Sequence, residues 1–112
     1  MVKAKDIINI KKEHERYKKL SENETDIVKR MKYGRIFRDY EDKLMDIEVQ
    51  LLNIDLGLYK DIELYKNVFI DRYMRNVPVE RLVDKCRISR SSVYKICNKS
   101  KELFEGKRGY RI

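Results

Sequence analysis

VERLVDKCRISRSSVYKICN, residues 79–98, reads as two short helices joined by a tight turn. Pro78 or Val79 opens a short helix over residues 79–85, and Cys86-Arg87-Ile88 forms a turn. Ser89, a residue type whose hydroxyl accepts from an orphan amide, caps a second helix that begins at Arg90. Leu82, Cys86, Ile88, Val93 and Ile96 are apolar where two such crossed helices must pack, with Ile88 plugging the crossing. The positions between them are mostly polar or charged.

Working outward, the same helical period continues and no strand-like alternation interrupts it, so the fold class is all-α. Upstream, a helix over about residues 60–76 places Ile62, Tyr65, Val68, Phe69, Tyr73 and Met74 inward. It ends before Pro78, because the residue preceding a proline is pushed out of the α region. Further upstream, Phe37, Tyr40, Leu44, Ile47, Leu51, Ile54 and Leu58 alternate in steps of three and four, an a/d seam spanning roughly 32 Å of helix. Gly34 precedes this seam and is expected to loosen the helix there, and Gly57 is expected near its C-terminal cap. Two readings of the seam stay open: packing inside one chain, or a homodimer seam in which Lys43 faces Glu48 of a second copy. Ser21 to Glu24 reads as a capping box opening this helix, and a first helix covers about residues 3–20.

Charge is unevenly distributed. The chain of 112 residues carries 27 Lys and Arg against 19 Asp and Glu, a formal +8. Residues 79–112 hold ten basic and four acidic side chains, whereas residues 21–58 hold six and nine. The last third is therefore the electrostatic footprint for a polyanion, and the middle is not. No apolar run reaches the roughly 20 residues that span a bilayer, and the start has no long apolar segment of a signal peptide, so no membrane partner is expected. Cys86 and Cys97 are too few for a disulfide framework, which points to a cytoplasmic protein with reduced thiols. Zinc needs four ligands. The one histidine, His14, is distant in sequence and reads as surface. Neither a metal nor a cofactor is expected. No phosphate loop, dinucleotide fingerprint or nucleophile beside a base is visible, so an enzyme is not expected.

Residues 79–98 fit the twenty-residue helix-turn-helix template at its fourth, eighth, tenth, fifteenth and eighteenth positions. They depart from it at the fifth, where Val83 replaces a small residue, and at the ninth, where Arg87 replaces glycine. In such proteins the start of the second helix enters the major groove of double-stranded DNA. Arg90 is the first candidate for a base-edge contact, because a guanidinium bonds guanine O6 and N7 together. Ser91, Ser92, Tyr94, Lys95 and Asn98 are further base-contact candidates, and Arg81, Arg87, Lys99 and Lys101 are candidates for phosphate. The tail from Lys107 to Arg111 is basic and reads as a disordered end or a backbone-crossing arm.

The segment from Tyr65 to Phe104 resembles region 4 of bacterial sigma factors, through Arg72-Tyr73 and through Ser89-Arg90-Ser91-Ser92-Val93-Tyr94. With the long charged helix upstream, the chain resembles the ArpU/RinA-type phage transcriptional regulators of Gram-positive bacteria. That resemblance implies a DNA-binding regulator of phage or mobile-element promoters, with RNA polymerase as a second partner. No segment resembles the sigma regions that melt promoter DNA. The competing reading is a phage small terminase subunit, a ring-forming packaging protein, which usually carries its DNA-binding unit first. The expected organisation is a helical packing or oligomerising region at residues 1–58, a DNA-binding unit at 59–106 and a basic tail at 107–112.

Overall fold

A computed structural model of the chain describes residues 1–106, so the basic tail from Lys107 onward lies outside the described residues. Five helices follow a single 3₁₀ turn at Ala4–Asp6: α1 (Ile7–Asn23), α2 (Ile27–Asp55), α3 (Ile62–Phe69), α4 (Val79–Cys86) and α5 (Arg90–Phe104). The fold is all-α as expected, and no strand occurs among the described residues. No described helix is long and apolar enough to cross a membrane.

α1 and α2 form an antiparallel hairpin, but its corner is not where the capping box placed it. α1 runs on through Ser21, whose hydroxyl donates to Lys18 O at 3.0 Å. The cap of α2 is Asp26, whose carboxylate accepts from Val28 N at 3.2 Å, while Glu24 accepts from Asp26 N at 3.0 Å. A charged carboxylate at the positive end of a helix is a stronger acceptor than a hydroxyl. The chain therefore turns five residues later than Ser21 suggested.

The seam on α2 is occupied by this chain's own helices. Phe37 stacks on His14 with ring centroids 4.6 Å apart, and Tyr40 stacks on Tyr17 at 6.0 Å. His14 is thus half-buried between the hairpin helices rather than a surface residue. Ile47 and Ile54 are fully enclosed, whereas Leu58, beyond the helix end, is 62 % exposed and does not belong to the seam. α2 also passes through Gly34 without a break, although an interior glycine costs a helix about 1 kcal/mol relative to alanine. Gly57 immediately follows the cap residue Leu56, as expected, but acts through its size and not through a left-handed backbone. A Cβ there would lie 2.7 Å from Leu103 Cδ1 and 2.8 Å from Ile62 Cδ1, so its bareness lets the end of α2 meet α3 and α5.

Of the residues assigned inward, α3 buries Val68 and Phe69 and half-buries Ile62 and Tyr65. It then widens into one π turn at Ile70–Met74, which carries half-buried Tyr73 and Met74 and is closed by Arg75 N donating to Ile70 O at 3.0 Å. The main core draws Val2, Ile7, Ile47, Phe69, Leu103 and Phe104 together, so it crosses the expected boundary at residue 58. A second cluster joins α3 to α4 and α5 through Val68, Val79, Leu82, Val93, Ile96 and Cys97, and Tyr73 packs on both.

One buried amide fastens the two ends of the chain to α2. Gln50 Oε1 accepts from Val2 N at 2.8 Å, and its Nε2 donates to Val2 O at 2.8 Å and to Phe104 O at 3.1 Å. Beside it, Ala4 N donates to the Glu105 carboxylate at 3.0 Å. Replacing Gln50 by leucine strands three buried backbone groups, each of which costs about 1–3 kcal/mol when unpaired. Gln50→Leu is expected to lower the thermal midpoint by more than 8 °C on the usual scaling of about 4–8 °C per kcal/mol for a domain of this size. Circular dichroism melting checks this, and an unchanged midpoint would show that the amide carries no such weight.

Candidate nucleic-acid interface

The pair of helices expected from residues 79–98 is present, with the first one residue longer than the spacing indicated. Cys86 closes α4, and residues 87–89 make the turn. Arg87 adopts the left-handed conformation, φ 55° and ψ 42°, and its N–H returns to Val83 O at 2.9 Å. The template's preference for glycine at this position has the same cause, and the non-glycine residue costs about 1 kcal/mol. Ser89 is extended and caps α5: its Oγ accepts from Ser92 N at 3.2 Å and donates to Ser92 Oγ at 2.9 Å. Leu82 and Val93 are fully buried between the helices, with Cys86, Ile88 and Val83 half-buried around them.

The orientation of α4 is set by a buried carboxylate that periodicity does not reveal. Asp71, in the π turn, accepts from Lys85 Nζ at 2.7 Å and from Arg75 Nη1 at 3.3 Å. Its own carbonyl accepts from Val77 N at 2.9 Å. Arg72 adds a hydrogen bond to Val77 O at 3.3 Å, so the linker before Pro78 is tied down on both sides.

α5 presents two distinct faces. Val93, Ile96, Cys97 and Ser100 point into the protein, whereas Ser91, Tyr94, Lys95 and Asn98 form one exposed strip along the opposite side. Arg90 is exposed at the head of the helix but already paired, its Nη2 2.6 Å from the carboxylate of Glu80 on α4. Ser92 is half-buried and engaged with the cap, apart from the exposed strip. Arg81 and Arg87 are exposed on α4 and in the turn. Lys99 turns aside, with Nζ 4.8 Å from the Tyr59 ring centroid, and half-buried Lys101 lines a hollow with Met1, Lys3 and Glu105 on the other flank. The structure thus gathers Ser91, Tyr94, Lys95 and Asn98 and separates Lys99 and Lys101 from them.

The residues that wall this strip on one side are not marked by the helical period. A groove of about 300 Å³ brings Lys5, Arg72 and Asn76 beside Tyr94 and Asn98. Only folding places Lys5 there, since the start of the chain crosses the end of α5. The positive φ of Asn76, 56°, is the one local signal, as asparagine tolerates that conformation better than most residues.

Both cysteines are free thiols, and no cluster of metal-ligating residues occurs among the described residues. Burial pushes the Cys97 thiol up from its ordinary value. No family model, curated protein or solved structure matches the chain.

Ser89→Ala removes the cap of α5 and is expected to cost about 1 kcal/mol, read as a lower urea midpoint. An unchanged midpoint would mean that packing alone sets the helix start. Because the folded state holds Cys97 protonated above the unfolded thiol value, its contribution to stability is complete below that value and is lost as pH rises through the folded one. Alkylation of native protein at neutral pH is accordingly expected at Cys86 before Cys97, a ranking that peptide mass mapping checks.

Proposed function

We propose that this chain binds double-stranded DNA by laying the exposed face of α5 in the major groove, and that it is a sequence-specific transcription regulator. The observation that carries this reading is the strip of Ser91, Tyr94, Lys95 and Asn98 on a capped helix whose other side is wholly occupied by packing. A helix held in this way presents base-reading groups without first having to order its backbone. Lys95 and Asn98 are suited to guanine and adenine edges, and Tyr94 to a thymine methyl or a phosphate. Arg81 and Arg87, exposed on α4 and in the turn, and Lys5, beside Tyr94 and Asn98, offer positive charge to the two backbones.

Arg90 reaches a base only by leaving Glu80. An exposed ion pair is worth about 0–1 kcal/mol, whereas a bidentate arginine–guanine contact discriminates by about 1–3 kcal/mol. The exchange therefore favours DNA, and Glu80 acts as a placeholder that keeps the guanidinium over the head of α5. The resemblance to sigma region 4 supports the same assignment of α5.

Selection of duplexes from a random pool tests the reading and is expected to return an enriched motif. Against that motif, Arg90→Ala should weaken binding by about 1–3 kcal/mol and relax the preference at one base pair. Glu80→Gln, which releases Arg90 and removes a negative charge facing the groove, should tighten it. A pool that returns no motif would overturn sequence-specific recognition. Arg90→Ala with an unaltered preference would remove Arg90 from base reading.

A further inference from the structure

The face of α2 turned away from α1 carries a second helical stripe that no described residue covers. Met45, Val49, Leu52 and Leu56 recur in steps of four and three, and Val28 and Met31 continue the same line towards the start of the helix. These six side chains are between 57 % and 75 % exposed. At about 100° per residue the stripe lies on the opposite side of the helix from the seam of Phe37, Tyr40, Ile47 and Ile54. A shallow trough of about 610 Å³ lined by Ile27, Met31, Gly34 and Arg38 runs beside it.

Three charged residues interrupt the middle of the stripe: Arg35, Arg38 and Asp42, all exposed. None of them makes an ion pair among the described residues. Their order specifies what covers the stripe. If two copies of α2 pair in parallel, Arg35 meets Arg35, Arg38 meets Arg38 and Asp42 meets Asp42, which sets like charges together along the seam. If they pair antiparallel, about a two-fold axis crossing the outer face at the height of residue 40, Arg38 meets the partner's Asp42 and Asp42 meets the partner's Arg38. In that same register Met31 meets the partner's Val49, Val28 the partner's Leu52, and the Arg35 stem lies on the partner's Met45. On one flank Lys32 then faces the partner's Asp46, and both of these residues are also exposed. Shifting one helix by a heptad in either direction sets Arg38 against the partner's Arg35 or against the partner's Val49, and the match of charges is lost.

We infer that this chain forms a two-fold dimer through the outer face of α2, the two helices antiparallel and locked in register by reciprocal Arg38–Asp42 pairs. This surface is distinct from the 37–58 seam, which α1 already occupies, and the inference does not depend on whether α5 reads DNA. The charge order admits a second copy of this chain as a self-complementary partner, which is what an isologous interface requires.

Light scattering on the full chain, from micromolar to sub-millimolar concentration, is expected to give twice the 13.6 kDa chain mass. Arg38→Asp alone and Asp42→Arg alone should each give the single-chain mass with unchanged helical circular dichroism. An equimolar mixture of those two variants should regain the two-chain mass, because each residue then meets its opposite, and the double reversal in one chain should do the same. The proposal is overturned by a wild type that stays at the single-chain mass throughout. It is also overturned by single reversals that keep the two-chain mass, by a mixture that fails to recombine, or by a wild-type assembly of eight or more chains.

Discussion

The side-chain amide of Gln50 sets where the opening segment, α2 and α5 meet. It uses both of its ends on backbone: Val2 offers a donor and an acceptor, and Phe104 an acceptor. A buried amide left partly unpaired is costly, so this site admits one geometry in which the opening segment, the middle of α2 and the end of α5 meet. Apolar contacts then close around it. Phe69 stacks on Phe104 at 4.7 Å, and Leu103 occupies the space that Gly57 leaves bare. Such packing supplies most of the stabilisation but is tolerant of direction, whereas the hydrogen bonds are not.

Held at its far end by Gln50, α5 is held at its near end by Ser89 and by the Arg90–Glu80 pair. Asp71 and Lys85 stop α4 from swinging against it. The helix is thus a rod fixed at both ends with one face left open, and its exposed side chains inherit their direction from the core. This is why Tyr94 and Asn98 share a groove with Lys5, from the other end of the chain.

α2 illustrates how the same helical period can be read twice. Its inner stripe, rich in aromatics, meets α1 through the His14–Phe37 and Tyr17–Tyr40 stacks and then the main core. Its outer stripe of Met, Val and Leu has no partner among the described residues. The inner stripe was apparent from spacing alone because its apolar run is nearly unbroken. The outer one is divided by Arg35, Arg38 and Asp42, and it became visible only once burial showed which apolar residues remain exposed. The corner of the hairpin differs from the expected one for a related reason, since Ser21 and Asp26 are both acceptable caps and their local patterns differ little.

The helical class, the approximate extent of each helix, the inward residues of α3 and the capped start of α5 are legible in the amino-acid order. These follow from interactions between residues three and four apart, and such interactions are written directly into the order of side chains. What lies opposite each face is settled by folding: α1 covers the inner stripe of α2, Gly57 permits close approach at the helix end, Arg90 rests on Glu80, and Lys5 lines the edge of α5. Those outcomes depend on contacts between residues far apart in sequence, where many pairings satisfy the same period. The choice among them falls to packing volume and to the pairing of a few buried polar groups.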